Sequence, residues 1–207
     1  VKNIVEIITA LCLLIHSGYS VFFWFAHIPH LAIMNAVSVG LYIFIFYIAT
    51  KGIYSTSAII AFFEVLTTVV VTSLTVGWNF GFYLYAICLV PLVFFCNLKS
   101  KLIAFTSCVI DFLVFIGTFI ICSRQEALFS SEHLLMEVMF VINAVICFSL
   151  LVLLSYVYSK TSSSTNQNLY EKNKNLQILA STDPLTGLFN RRTMFLKINE
   201  EKAKATD

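Results

Sequence analysis

The chain has 207 residues, of which 59% are hydrophobic and 12% are charged, and its formal net charge is +2. Soluble domains carry about 25% charged residues, so this composition, with a mean hydropathy of +0.88, excludes a protein that faces water on all sides. The small net charge argues against a nucleic-acid partner, which a strongly basic surface would indicate. The cysteines all lie in apolar segments without a CxxC spacing, so we expect them to pack as small hydrophobic residues.

Six apolar segments are each close to the length of a membrane-spanning helix, which needs about 20 residues. They cover residues 4–26, 31–50, 54–76, 80–97, 102–122 and 134–158. The fourth is the shortest, and it contains Pro91, which removes a helical hydrogen bond and kinks a helix. We predict an all-α membrane protein in which residues 1–158 form a bundle of six transmembrane helices surrounded by lipid.

The distribution of lysine predicts which way the bundle faces. With six spans both ends lie on one side of the membrane, and that side then holds Lys2, Lys51, Lys99, Lys101 and Lys160. The opposite side holds only Arg124, beside two glutamates. Because positively charged loops remain in the cytoplasm, we expect both termini to be cytoplasmic. The outer loops are too short for a sensory domain, so any stimulus must be read by the bundle or at its rim.

Several polar residues are predicted at mid-membrane depth, at 1.5 Å of rise per residue. They are His16, Asn35, Glu64, Asp111 and Asn143. No Lys or Arg lies at the depth of the two acids, so these must be protonated, paired with His16, or bonded to neighbours such as Thr67 and Thr68. The set fits either a polar pocket that responds to protons or to an unknown small ligand, or a group of interhelical hydrogen bonds that fixes packing.

A second group of ligand-type residues is predicted at the outer rim. It comprises His27, His30, His133 and Glu137. Imidazole and carboxylate groups are ligands for zinc and other transition metals, but four ligands from three segments would have to converge. Histidine also suits a membrane boundary, half wet and half packed. The sequence therefore favours no bound metal and no cofactor in this chain.

The segment after residue 158 changes from apolar to polar. Leu169 and Leu176 are seven residues apart, and Asn173 and Ala180 each follow four residues later. This is the a/d pattern of a marginal two-stranded coiled coil with a polar core position. It predicts a cytoplasmic signalling helix over residues 159–180 and a parallel homodimer; a single exposed helix or a disordered linker is the alternative. A weak seam lets small movements of the sixth span select between registers.

Residues 181–195 begin with features that end one helix and start another. Pro184 disfavours helical geometry at the preceding residue, Gly187 suits a tight turn, and an amphipathic helix starts near Asn190. The run also resembles the D-x-L-T-G-L-x-N-R-R-x-F signature that opens GGDEF (diguanylate cyclase) domains. Met194 takes the place of the usual Phe, and Phe195 follows it. The matching residues are Asp183, Leu185, Thr186, Gly187, Leu188, Asn190, Arg191 and Arg192.

The resemblance implies that residues 181–207 are the N-terminal fragment of an α/β GGDEF domain. The six-span plan likewise resembles the anchors of bacterial nucleotide cyclases, so the membrane is expected to be a bacterial inner membrane. The family joins two GTP into cyclic di-GMP with Mg²⁺, using two facing domains. Its catalytic acids lie downstream of the signature, whose residues are structural. We therefore assign no catalytic residue here and expect the chain to be part of a longer protein.

Two alternatives remain open from the sequence. In the first, the domain has the GGDEF fold but no catalytic activity, and it serves as a cyclic di-GMP receptor or scaffold. The second is a small transporter or channel, for which acids at mid-membrane depth would also be expected.

Overall fold

A computed structural model describes residues 2–95, 100–129 and 132–204. Within these ranges the secondary structure is helical, apart from an isolated bridge between Thr182 and Phe189. The chain divides into two units, Val1–Tyr158 and Ser159–Asp207. The predicted all-helical class is confirmed for the described part of the chain, and an α/β GGDEF domain stays a prediction.

The described residues contain seven α-helices and one short 3₁₀ turn. The helices are α1 (Lys2–Phe25), α2 (Pro29–Thr50), α3 (Tyr54–Val76), α4 (Leu84–Phe95), α5 (Lys101–Arg124), α6 (His133–Ser181) and α7 (Arg191–Lys204), with the 3₁₀ turn at Trp78–Phe80. Five of them, α1, α2, α3, α5 and α6, are long and apolar enough to cross a membrane. The chain therefore has the helices of a multi-pass membrane protein.

The fourth apolar segment differs from the predicted span over residues 80–97. The described part of its helix, α4, has 12 residues, about 18 Å, against a hydrocarbon layer of about 30 Å. The helix begins at Leu84 and not at residue 80 because Gly81 has a φ of +80° and ends the 3₁₀ turn in a left-handed conformation. Residues 96–99 lie outside the described residues, so a sixth full-length span stays a prediction.

The first unit is built from helices that alternate in direction. One apolar core lies at one end of the unit. It contains side chains from α5 and α6, from the first parts of α1 and α3, and from the last parts of α2 and α4. Its members are Val5, Ala49, Ala58, Phe62, Leu66, Leu89, Leu92, Val93, Ala104 and Leu154. The opposite ends of α1, α2 and α3 meet in a second core, formed by Tyr19, Phe23, Ile28, Leu31, Ala32, Val76, Phe80, Phe82 and Met139. A third, smaller core is formed by Tyr42, Ile45 and Ala61 of α2 and α3.

Helices α5 and α6 bury only narrow stripes of side chains. On α5 the buried residues are Ala104, Asp111 and Thr118, which recur every seven residues. Large apolar side chains such as Phe105 and Phe112 are exposed on the same helix, as expected for a face that contacts lipid. Helix α6 approaches the 3₁₀ turn closely, since a Cβ on Gly81 would lie 2.8 Å from Cδ2 of Phe140. Glycine is therefore required there by both conformation and space.

The second unit contains the last part of α6, a loop and α7. Residues 159–180, the predicted signalling helix, are helical as part of α6. Leu169 and Leu176 are exposed in the single chain, as are Asn173 and Ala180. These exposures describe one chain, so the predicted dimer stays a prediction.

Candidate functional site

Glu64 is the centre of a buried polar cluster that joins α1, α2 and α3. Its Oε1 accepts hydrogen bonds from Ser38 Oγ at 2.6 Å and from Thr68 Oγ1 at 2.9 Å. Its Oε2 accepts one from the Tyr42 hydroxyl at 2.8 Å and lies 3.4 Å from Nε2 of His16. We call His16, Asn35, Ser38, Tyr42, Glu64 and Thr68 the Glu64 cluster. The carboxyl thus has partners at both oxygens, which is what a buried acid requires.

Hydrogen bonding around His16 fixes which ring nitrogen faces which partner. Asn35 Nδ2 donates to the carbonyl of Leu31 at 2.9 Å, so its Oδ1 is the atom that faces Nδ1 of His16, at 2.8 Å. Because an amide oxygen only accepts, Nδ1 of His16 is the donor in this contact. Nε2, on the other side of the ring, faces Oε2 of Glu64 at 3.4 Å.

Packing holds His16 in this position. Its ring stacks on that of Tyr42 with centroids 5.2 Å apart and an angle of 23° between the planes. His16, Asn35 and Tyr42 are all buried. The cluster is therefore a buried polar centre within apolar helices, and no lysine or arginine of the described residues contributes to it.

Asn143 belongs to a different polar cluster, which joins α6 to α1 and α4. Its Oδ1 accepts from the hydroxyl of Tyr85 at 3.0 Å and from that of Tyr19. Its Nδ2 donates to the carbonyl of Phe80 at 2.8 Å. We call Tyr19, Tyr85 and Asn143 the Asn143 cluster. These bonds attach α6 to the rest of the bundle near the 3₁₀ turn.

Asp111 lies apart from both clusters. Its side chain is buried on the α5 stripe, but its Oδ1 has no hydrogen-bond partner among the described residues. Thr67, a candidate partner for the acids, instead donates to the carbonyl of Phe63 at 2.8 Å. The structure thus brings together His16, Asn35 and Glu64 of the predicted pocket, and it does not bring Asp111 or Asn143 to them.

Sequence reasoning named Thr68 as a partner of the acids, and Thr68 does bond Glu64, but it missed the hydroxyl groups of Ser38 and Tyr42. Ser38 and Tyr42 lie three and seven residues after Asn35, so the three share one face of α2, which is its buried face. The spacing of polar residues along an apolar helix was the available signal. Tyr19 and Tyr85 carried no comparable signal, because their partner Asn143 is distant in sequence.

The residues of the outer rim are exposed. His27 and His30 lie at the turn between α1 and α2, and both are exposed. His133 and Glu137 contact each other through Nδ1 and Oε1 at 3.4 Å, one turn apart on α6. Among the residues that the structure describes, no three His, Cys, Asp or Glu side chains come close enough to hold a metal ion.

In the second unit, residues 182–190 of the signature region form a loop in which the side chains of Asp183, Thr186 and Asn190 make hydrogen bonds. Asp183 Oδ1 accepts from the backbone amides of Leu185 and Thr186, at 2.9 and 3.0 Å. These amides hold the pKa of the Asp183 carboxyl below its usual value, Thr186 first and then Leu185. Gly187 has a φ of +70°, and its amide donates to the Asp183 carbonyl. A glycine suits this left-handed turn because it has no Cβ.

Asn190 connects this loop to the helices on either side. Its Nδ2 donates to the Ala180 carbonyl near the end of α6 at 2.7 Å, and its Oδ1 accepts from the Thr193 amide in the first turn of α7 at 3.0 Å. It therefore satisfies backbone groups that helix ends leave without partners. Arg191 and Arg192 begin α7 and are exposed, and so are Leu185 and Leu188.

Comparison of the chain with known protein families, with curated proteins and with solved structures gave no match.

Proposed function

We propose that this chain is the membrane sensor and anchor region of a bacterial diguanylate cyclase, in which it relays a signal from the bundle to cyclic di-GMP synthesis. One observation carries the proposal: the D-x-L-T-G-L-x-N-R-R run follows a long helix and forms a loop in which Asp183, Thr186, Gly187 and Asn190 each have a structural role. Mg²⁺ and GTP would bind in the cyclase domain that this signature opens, and this chain supplies no catalytic residue.

The same proposal includes six spans in the inner membrane with both ends in the cytoplasm. Five long apolar helices and the shorter α4 support it, together with the lysines at one end of the alternating helices. Lys51 follows α2 and Lys101 begins α5, and both belong to the end that the positive-inside rule assigns to the cytoplasm.

The route of the signal is proposed to run from the bundle through α6 to a parallel homodimer. Asn143 bonds α6 to α1 and α4, so a change in the bundle can shift or rotate α6. The exposed Leu169 and Leu176 favour pairing of two such helices. A short coiled coil with a polar core position is only weakly stable, so a small movement of α6 can change how two such helices pack.

The test is the activity of the full-length protein in lipid nanodiscs. We expect it to convert GTP to cyclic di-GMP with Mg²⁺, and Glu64→Gln to change this rate while leaving the protein folded, because the mutation replaces the carboxyl that faces His16 with a neutral amide. Glu137→Gln is the matched control: it makes the same chemical change on an exposed residue and should leave the rate unchanged.

Other results would assign a different function. Binding of cyclic di-GMP without synthesis would indicate a receptor or scaffold, and a proton or ion flux in proteoliposomes without either would indicate a transporter. Unchanged synthesis in Glu64→Gln would leave a cyclase whose Glu64 cluster serves packing alone.

A further inference from the structure

An apolar cavity runs along α1 beside the Glu64 cluster. It follows α1 from Ile7 to Phe23, about 24 Å of helix, and its other walls come from α3, α4 and α6 with a contribution from Asn35 of α2. Its volume is about 90 Å³, which at ~10–15 Å³ for each water-sized sphere is room for roughly six to nine non-hydrogen atoms. Cavities lined by aliphatic and aromatic side chains stay dry and accept apolar guests.

The cavity is only partly covered on the side formed by α1 and α6. Ile7 lines it and is 39% exposed, and Leu150, Leu153 and Val157 of α6 line it while only half-buried. This side belongs to the outer surface of an apolar bundle, where lipid is expected. A molecule dissolved in the bilayer can therefore enter without passing through water.

One polar group at the cavity has no partner of its own. Thr72 lines the cavity and is fully buried, and its Oγ1 has no hydrogen-bond partner among the described residues. Other threonines of the bundle, including Thr9 and Thr75, donate to the carbonyl four residues earlier. Leaving a buried hydroxyl unpaired is unfavourable, so Thr72 is suited to bond an oxygen of a bound guest.

We propose that this cavity binds an uncharged, membrane-soluble molecule of about six to nine non-hydrogen atoms, with an alkyl body and one hydroxyl or carbonyl oxygen bonded to Thr72. The guest is uncharged because the described lining contains no carboxylate, lysine or arginine, and its one imidazole, His16, already faces Glu64. The proposal goes beyond the function proposed above and is tested by binding alone. The acyl chain of a bilayer lipid shares the alkyl chemistry and is the competing occupant.

The experiment uses the chain in phosphatidylcholine nanodiscs and a diazirine-bearing pentanol, whose size lies within the proposed range, as the probe. After photolysis, mass spectrometry should find adducts on the peptides of α1 and α6 that line the cavity, and 1-octanol should displace the probe. Octane should compete about two- to tenfold less well, because it cannot form the hydrogen bond with Thr72. Leu153→Trp should abolish the adducts by filling the cavity.

A matched pair of threonine variants isolates the hydrogen bond. Thr72→Val should abolish the advantage of octanol over octane, whereas Thr75→Val, whose hydroxyl bonds its own helix, should keep it. Failure of the probe to label the cavity would overturn the proposal, as would equal competition by octanol and octane in the unmodified chain. A phosphatidylcholine with a diazirine in its acyl chain provides the last arm. Labelling of the same peptides by this lipid, without displacement by 1-octanol, would assign the cavity to bilayer lipid instead.

Discussion

Replacing Glu64 by leucine tests whether the Glu64 cluster stabilises the bundle. The substitution removes the acceptor for three hydroxyl groups and for His16. Ser38 and Thr68 can turn back to carbonyls of their own helices, as serine and threonine commonly do. Tyr42 cannot, because its hydroxyl lies at the end of a rigid ring that is fully buried against His16.

The expected cost follows from the partners that stay unpaired. A buried polar group without a partner costs about 1–3 kcal/mol, and interhelical hydrogen bonds in membranes average about 0.6 kcal/mol. With the Tyr42 hydroxyl and Nε2 of His16 both left unpaired, Glu64→Leu should lower the free energy of unfolding by about 2–6 kcal/mol. At ~2–4 °C per kcal/mol for a chain of this size, the unfolding temperature should fall by roughly 4–24 °C.

Glu64→Gln should cost less than about 1 kcal/mol. Its amide oxygen can still accept from Ser38 and Thr68, and its NH₂ group can donate to Nε2 of His16 and to the oxygen of the Tyr42 hydroxyl, which then accepts instead of donating. The assay is thermal unfolding of the purified chain in nanodiscs. Tyr42→Phe in the Glu64→Leu background should restore part of the loss, because it removes the unpaired hydroxyl.

Asp111→Leu is the control for burial and charge. Its Oδ1 has no partner among the described residues, so the leucine should be neutral or stabilising. The reasoning would be refuted if Glu64→Leu unfolded at the wild-type temperature, or if both leucine variants lost the same stability. Equal losses would mean that a carboxyl at this depth stabilises the bundle whether or not it has hydrogen-bond partners.

Three further outcomes are expected. In a cysteine-free background, single cysteines at Lys51 and Trp78 should be labelled from opposite faces of the membrane, with Lys51 inside; labelling from one face would contradict the alternating topology. Cysteine at Leu169 should cross-link two chains better than cysteine at Glu171, and equal yields would exclude an ordered seam. Backbone amides lower the pKa of Asp183, so their hydrogen bonds to the ionised carboxylate stabilise the loop fully at pH values above the ordinary pKa of aspartate. This stabilisation is lost as the pH falls through the lowered pKa. Amide NMR signals of the loop should titrate there, and Asp183→Asn should abolish the titration.

The helices were predictable because apolar length and composition specify them. The predicted ends of α1, α3, α5 and the apolar part of α6 agree with the structure within a few residues. The fourth segment was different, since residues 80–83 are as apolar as their neighbours but do not begin the helix. The conformation of Gly81 and its contact with Phe140 decide this, and that contact joins residues about sixty positions apart.

The depth of each buried acid in the membrane could be counted from the sequence, whereas the direction in which its side chain points could not. Glu64 and Asp111 were predicted at one depth, and a count of residues cannot distinguish them. The structure does, because the buried face of α3 turns Glu64 toward Ser38 and Tyr42 on α2. Asp111 is buried on a helix that shows most of its other side chains to the outside. Which neighbour an acid meets depends on helix rotation, which apolar segments without a strong amphipathic pattern do not specify.

The contrast between the signature loop and the Glu64 cluster shows what kind of site a single sequence reveals. The hydrogen bonds of the loop run between residues at most ten positions apart, as from Asn190 to Ala180. Aspartate, glycine and asparagine at fixed offsets are therefore enough to specify it. The Glu64 cluster joins α1, α2 and α3, from His16 to Thr68, and it exists only once three helices have packed. Its members are ordinary residues of apolar helices until then, so the loop could be read directly and the cluster only as a set of candidates.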